Sequence, residues 1–190
     1  MKLLQIDSSA LGANSATREL TAALVELQRQ RVPALHLIRR DLDAAPLPHL
    51  SAATLADPEA AIQSQEVLDE FLAADTVVIG APMYNFGIPS TLKAWMDRIT
   101  VAGRTFRYTA TGPEGLVRGK TVILAIAAGG MHAGQATDFV EPYLRQVFGF
   151  LGVTDLHVVR ADGVALSPED RRRAIADAIG SAEFRPQRAA

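Results

Sequence analysis

The chain contains no cysteine. That excludes disulfides, thiol redox catalysis and thiolate metal sites. It also lacks a long apolar run. The apolar start Leu3-Leu4 stops at Asp7, too short for a signal peptide. No stretch approaches the roughly 20 apolar residues of a membrane span, so the cytoplasm is the expected location and no membrane partner is expected. An excess of one charge is missing as well. Nineteen Lys and Arg stand against 21 Asp and Glu, a formal net charge of −2 with no basic block. This argues against nucleic acid as a partner. Several fingerprints are absent: G-x-G-x-x-G, G-x-x-x-x-G-K-[ST], G-x-S-x-G and H-E-x-x-H. None of His36, His49, His132 and His157 pairs one helical turn away from another metal ligand. No metal site is expected, and no side chain is assigned as a catalyst.

What remains is an ordinary soluble composition, 48% apolar and 21% charged over 190 residues, enough for a single domain spanning 1–190. The chain is organised around residues 75–98. Residues 76–81 form a β-branched, uncharged run that suits a strand buried on both faces of a parallel sheet. Pro82 ends it, since proline cannot donate to a sheet ladder. A helix starts near Pro89 or Ser90 and carries Leu92, Trp95, Met96 and Ile99 on one face. The loop between them, Met83-Tyr84-Asn85-Phe86, then lies at the carboxyl end of a buried strand, where open α/β sheets bind ligands. Two rings and an amide there suit a flat polar ring system. An equally good reading folds both aromatics into the core.

Taken in order, the pattern predicts a strand over 2–7, a helix over 15–30 and an edge strand over 34–39. An irregular, proline-rich excursion over 41–58 and a helix over 59–73 follow, with Val67, Leu68, Phe71 and Leu72 inward. After the central strand and helix comes a long loop over 103–119, carrying Phe106 and Tyr108 with a turn at Gly112-Pro113. A strand over 121–127 runs into Gly129-Gly130; a helix over 138–151, a strand over 156–159 and a last helix capped by Ser167 complete the chain. Residues beyond 183 are expected to fray. Alternating strands and helices give an α/β, doubly wound, five-stranded parallel sheet with helices on both faces. Right-handed crossovers favour the order 2-1-3-4-5. That order puts the switch point between the first loop and Met83–Phe86.

The first loop holds Ser8, Ser9, Asn14, Ser15 and Thr17 just before a helix. Hydroxyls and free amides at a helix start can hold a phosphate without a lysine; the plainer reading is a helix cap with spare serines. His132, after Gly129-Gly130 on the same sheet edge, is the histidine with the best placement. With no nucleophile, triad or metal site, the chemistry falls to a cofactor. A phosphate pocket beside an aromatic loop at such a switch point favours FMN.

Asn85-Phe86-Gly87-Ile88-Pro89-Ser90-Thr91-Leu92-Lys93-Ala94-Trp95-Met96-Asp97, Ala102-Gly103-Arg104-Thr105-Phe106-Arg107-Tyr108 and Gly112-Pro113-Glu114-Gly115-Leu116 resemble the FMN-dependent NADH-azoreductases. The similarity continues through Gly129-Gly130 and Tyr143-Leu144 to Phe148-Gly149-Phe150-Leu151-Gly152. The resemblance implies a flavodoxin-like homodimer that reduces quinones and aromatic azo compounds by two electrons from NADH or NADPH in a ping-pong cycle. It implies that Ser9, Ser15, Ala16 and Thr17 hold the FMN phosphate and that Met83, Tyr84, Asn85 and Phe86 lie along the isoalloxazine ring. It further implies that Ala127, Ala128, Gly129 and Gly130 meet the pyrimidine end, and that Phe106 and Tyr108 help form the substrate pocket near the dimer interface. Ala127 and Ala128 stand where familiar members often carry serine and arginine, and Val101 replaces an arginine common before the Ala-Gly pair. Two other classes compete: an electron carrier serving a partner protein, which would tend to be strongly acidic, and a nucleotide-binding module without redox turnover.

Overall fold

The computed structural model describes residues 1–182; the fraying expected beyond 183 lies outside them. Five strands form one parallel sheet: β1 (Lys2–Asp7), β2 (His36–Asp41), β3 (Thr76–Pro82), β6 (Thr121–Ala128) and β7 (Asp155–Asp162). Their order is β2-β1-β3-β6-β7, the expected 2-1-3-4-5. β3 is buried along its whole length and alternates between two cores. Val77, Ile79 and Ala81 face one core, and Val78 faces the other.

The first core is covered by α3 (Pro58–Ala73), α4 (Ser90–Ile99) and α5 (Val140–Leu151). Leu92, Trp95, Met96 and Ile99 point inward as their spacing requires. Trp95 meets Phe71 edge-on with centroids 5.9 Å apart. The second core lies under α1 (Ala16–Arg31) and α6 (Pro168–Gly180), through Leu20, Leu24, Ile175 and Ala178. Leu20, Leu24 and Ile175 each add about 1.5–3 kcal/mol, as a large aliphatic group does on leaving water. α1 packs tightly at Gly80, where a Cβ would stand 3.2 Å from Thr21 Cγ2 and 3.4 Å from Thr17 Cβ.

Four local expectations are corrected. β2 begins two residues later than expected, because residues 32–35 turn (Leu35 N–H donates to Val32 O) and the ladder opens only where His36 N–H reaches Met1 O. The excursion is not wholly irregular. Ser51 and Thr54 cap each other's backbone amides and start α2 (Ala52–Ala56), while Asp57 caps α3 with Pro58 already inside it. The segment 103–119 is not a plain loop. It contains an antiparallel hairpin, β4 (Phe106–Thr109) with β5 (Gly112–Gly115), turning at residues 110–111. Gly112-Pro113 is therefore in β5 rather than at the turn. Lastly, Asp138 stands outside α5 and accepts from the amides of Val140 and Glu141 at 3.2 and 3.3 Å.

Candidate functional site

The carboxyl ends of β1 and β3 are adjacent, and side chains bind them together. Ser8 Oγ donates to Gly80 O at 2.6 Å. Ser9, fully buried, lies 2.9 Å from the Tyr84 hydroxyl, which also accepts from Ala10 N–H at 3.2 Å. The two loops that the strand order brings together are thus in direct contact.

The first loop winds through a short 3-10 turn, Gly12–Asn14, into α1. Gly12 has φ +52, a left-handed conformation that glycine takes without strain. Ser15 caps α1 by accepting from Arg18 N–H at 3.2 Å, and its hydroxyl lies 3.0 Å from that of Thr17. The amides of Ala16 and Thr17, in the first helical turn, have no acceptor among the described residues. Helix geometry leaves such groups without intrahelical partners and points them at the loop. Arg18 was not singled out from the sequence, yet it fixes this corner. Its guanidinium grips Asp41 at 2.6 and 2.8 Å and donates to Ser9 O at 3.0 Å. The Arg18 hydrogen bonds hold the Asp41 carboxyl below its usual range. Beneath the loop, burial pushes the Asp7 carboxyl upward, against the lowering effect of the Thr21 hydroxyl bonded to it at 2.7 Å.

After β3 the chain turns sharply. Tyr84 and Gly87 exchange both backbone hydrogen bonds, at 2.9 and 3.0 Å. Asn85 and Phe86 between them have φ +50 and +68. Positive φ at both central positions belongs to the tightest hairpin turns and favours Asn or Gly. For a ring-bearing residue it is strained, and such strain gathers at ligand sites. The turn presents both side chains to solvent; Phe86 is 52% exposed, and the Asn85 amide has no partner among the described residues. Met83, half-buried, donates its amide to Ala127 O at 2.8 Å and so joins the turn to β6.

Ala127 and Ala128 are buried at the end of β6 and offer backbone alone. The amides of Gly129 and Gly130 have no acceptor among the described residues, while their carbonyls accept from Ala165 and Gly163. His132 completes this side. Its ring meets Phe86 edge-on with centroids 5.9 Å apart, and its Nδ1 lies 2.9 Å from the Thr137 hydroxyl. Asp162 holds the segment by accepting from the amides of His132 and Ala133, both at 2.7 Å. Arg160 in turn bonds Asp162 and Asp138 at 2.8 and 2.6 Å. Neither residue announces itself in the sequence; only position at the end of the last strand connects them with the site.

Phe106 and Tyr108 stand apart. Their ring contacts are with each other, at 5.5 Å, and between Phe106 and Phe150 of α5, at 4.6 Å. Phe106 is buried in the core, and Tyr108 is 77% exposed. Among the described residues no group of three or more His, Asp and Glu is placed to hold a metal ion, and no helix is long and apolar enough to cross a membrane.

A family model described as a flavodoxin-like fold matches residues 1–183. FMN-dependent NADH:quinone oxidoreductase 1 of Xanthomonas euvesicatoria is 62% identical over 181 residues, covering 94% of this chain and 93% of its own. The FMN-dependent NADH:quinone oxidoreductase of Stenotrophomonas maltophilia is 52% identical, covering 95% and 94%. Among solved structures, an FMN-dependent NADH-azoreductase from Bacillus anthracis in complex with FMN superposes with a TM-score of 0.83 at 26% identity, over 95% of this chain and 96% of its own. An azoreductase from the same species, strain Sterne, gives 0.86 at 25% identity, over 95% of both chains. Fold order, site and likeness agree: this chain belongs to the flavodoxin-like family, in the branch of the FMN-dependent NADH:quinone oxidoreductases and azoreductases.

Proposed function

We propose that this chain is an FMN-dependent oxidoreductase that passes two electrons from NADH or NADPH to quinones and aromatic azo compounds. The observation that carries the reading is the contact of Ser9 with Tyr84, which joins a phosphate-type loop to an exposed aromatic turn at the sheet's switch point. The residues present fit the group. Unclaimed amides of Ala16 and Thr17 and the hydroxyls of Ser9, Ser15 and Thr17 suit its phosphate. Asn85, Phe86 and the free amides of Gly129 and Gly130 suit a flat ring with polar edges. When bound, FMN supplies hydride acceptance and two-electron delivery, with donor and acceptor using the site in turn.

The protein's own part is positional. The strained turn presents Phe86 and Asn85 outward. Asp162 fixes His132 against Phe86, so the imidazole borders the site as a hydrogen-bond donor or acceptor. Phe86 at 52%, Met131 at 67% and Phe139 at 60% leave unusual apolar surface around the site. We assign its cover to a second copy of the chain, which excludes water, and place the hairpin bearing Tyr108 at the acceptor side of that dimer. A nicotinamide donor supports a cytoplasmic location for the reaction.

The test is a titration of the purified protein with FMN, followed by NADH consumption with a quinone. Saturable quenching of flavin fluorescence and quinone-dependent NADH loss are expected. A protein that binds FMN without turnover would instead be a carrier, and one that ignores FMN would refute the reading.

A further inference from the structure

Away from the switch-point loops, a cavity of about 260 Å³ lies between α2, α3 and the carboxyl end of α4. Leu50, Leu55, Ala61, Leu68 and Val101 give it apolar walls. Arg98 also lines it and is only 4% exposed. One guanidinium nitrogen, Nη2, donates to Pro48 O at 2.6 Å. Nε and Nη1 have no hydrogen-bond partner among the described residues. Arg104, the other cation on the wall, is engaged by Asp69 at 3.3 Å. A guanidinium cannot shed its proton, so Arg98 is a fixed charge, excluded from water and answered only by a neutral carbonyl. Such a charge is strongly unfavourable until an anion meets it.

The walls and the charge define the ligand class. One uncommitted cation matches one negative charge, and Ser64, a further wall residue, already donates its hydroxyl to Ala60 O. The apolar lining asks for a hydrocarbon body, and the volume is below the about 300 Å³ where drug-sized pockets begin. α2 forms the outer wall and contributes no buried residue, so it can yield to an entering molecule. We propose that this cavity is a binding site for a small carboxylate with an apolar alkyl or aryl body, its carboxylate seated on Arg98.

Trp95 reports on the site. It is the only tryptophan, it is fully buried, and it precedes Arg98 by about one turn of α4. The FMN-loaded protein is titrated with octanoate and with 1-octanol, which has the same tail without the charge, following Trp95 fluorescence and melting temperature. Octanoate is expected to saturate, to raise the melting temperature and to bind at least about tenfold more tightly than octanol, as a charge-assisted hydrogen bond implies. Arg98→Gln should abolish that preference. Leu55→Glu changes a wall residue that is 72% exposed, so it folds whatever becomes of Arg98→Gln, and it should weaken octanoate more than octanol. Quinone reduction should be unaffected by octanoate. Equal affinities for the two probes, no saturation, a preference that survives in both variants, or competition with quinone would each overturn the assignment.

Discussion

The Ser15 hydroxyl faces two ways, capping Arg18 N–H and touching Thr17. Aspartate caps a helix as well as serine does, so Ser15→Asp should fold with normal circular dichroism. It would also place a carboxylate beside the phosphate loop. Two like charges at about 4 Å repel by roughly 4 kcal/mol at an effective dielectric of ~20. The variant should therefore bind FMN more than about tenfold more weakly and bind riboflavin, which has no phosphate, nearly as well as the parent. Equal FMN affinity would leave Ser15 a cap and nothing more. Serines before a helix are a local pattern and were legible. Arg18 was not, because its partner Asp41 lies 23 residues on and is brought near only by the β1–β2 ladder. A second residue tests the core. Lys120 is 5% exposed, donates to Ala74 O and lies 5.0 Å over the Phe71 ring. Burial lowers its pKa from 10.5 to about 8. Below pH 8 both folded and unfolded chains hold the proton, and the folded chain bears the full cost of the buried charge. Between pH 8 and 10.5 the unfolded chain binds more protons, so this group's contribution to stability rises with pH. Lys120→Met should be more stable than the parent near neutrality by about 1–2 kcal/mol in urea melts, with the gap closing across that interval.

At the scale of the element, the hairpin β4–β5 separates two aromatics that the sequence treats alike. Phe106 is the hairpin's anchor on Phe150, and Tyr108 is its exposed face. Phe106→Ala should cost about 3 kcal/mol or more of stability by opening the core. Tyr108→Ala should leave stability and FMN binding unchanged and raise the apparent KM for quinone; loss of flavin from that variant would move Tyr108 from acceptor to cofactor. The hairpin escaped the sequence because glycine and proline at 112–113 mark a turn wherever they stand, and here Pro113 pairs across from Tyr108 in β5. Helix faces were legible throughout, since burial of Leu92, Trp95, Met96 and Ile99 follows from period alone. The left-handed pair Asn85–Phe86 was not, because side-chain pattern carries no information about φ.

For the whole molecule, strand order was legible because handedness rules leave few ways to connect five parallel strands. In the sequence, the homodimer is implied by the resemblance alone, and the test is direct. Light scattering should give twice the 20.3 kDa of one chain at micromolar concentration, with activity falling on dilution through the dissociation range. A fully active monomer would refute the dimer. The sheet itself has unequal joints. β3–β6 and β6–β7 pair over seven- and eight-residue strands, whereas β1 meets β3 only from Leu3↔Thr76 to Ile6↔Ile79. This shortest seam joins the β2-β1 half to the β3-β6-β7 half, and the switch point sits at its end, where Ser9 reaches Tyr84. A ligand held by both halves acts as a clamp across that seam. Amide hydrogen exchange should therefore slow most, on FMN addition, along β1 and β3 rather than uniformly, making the cofactor a brake on partial opening of the sheet.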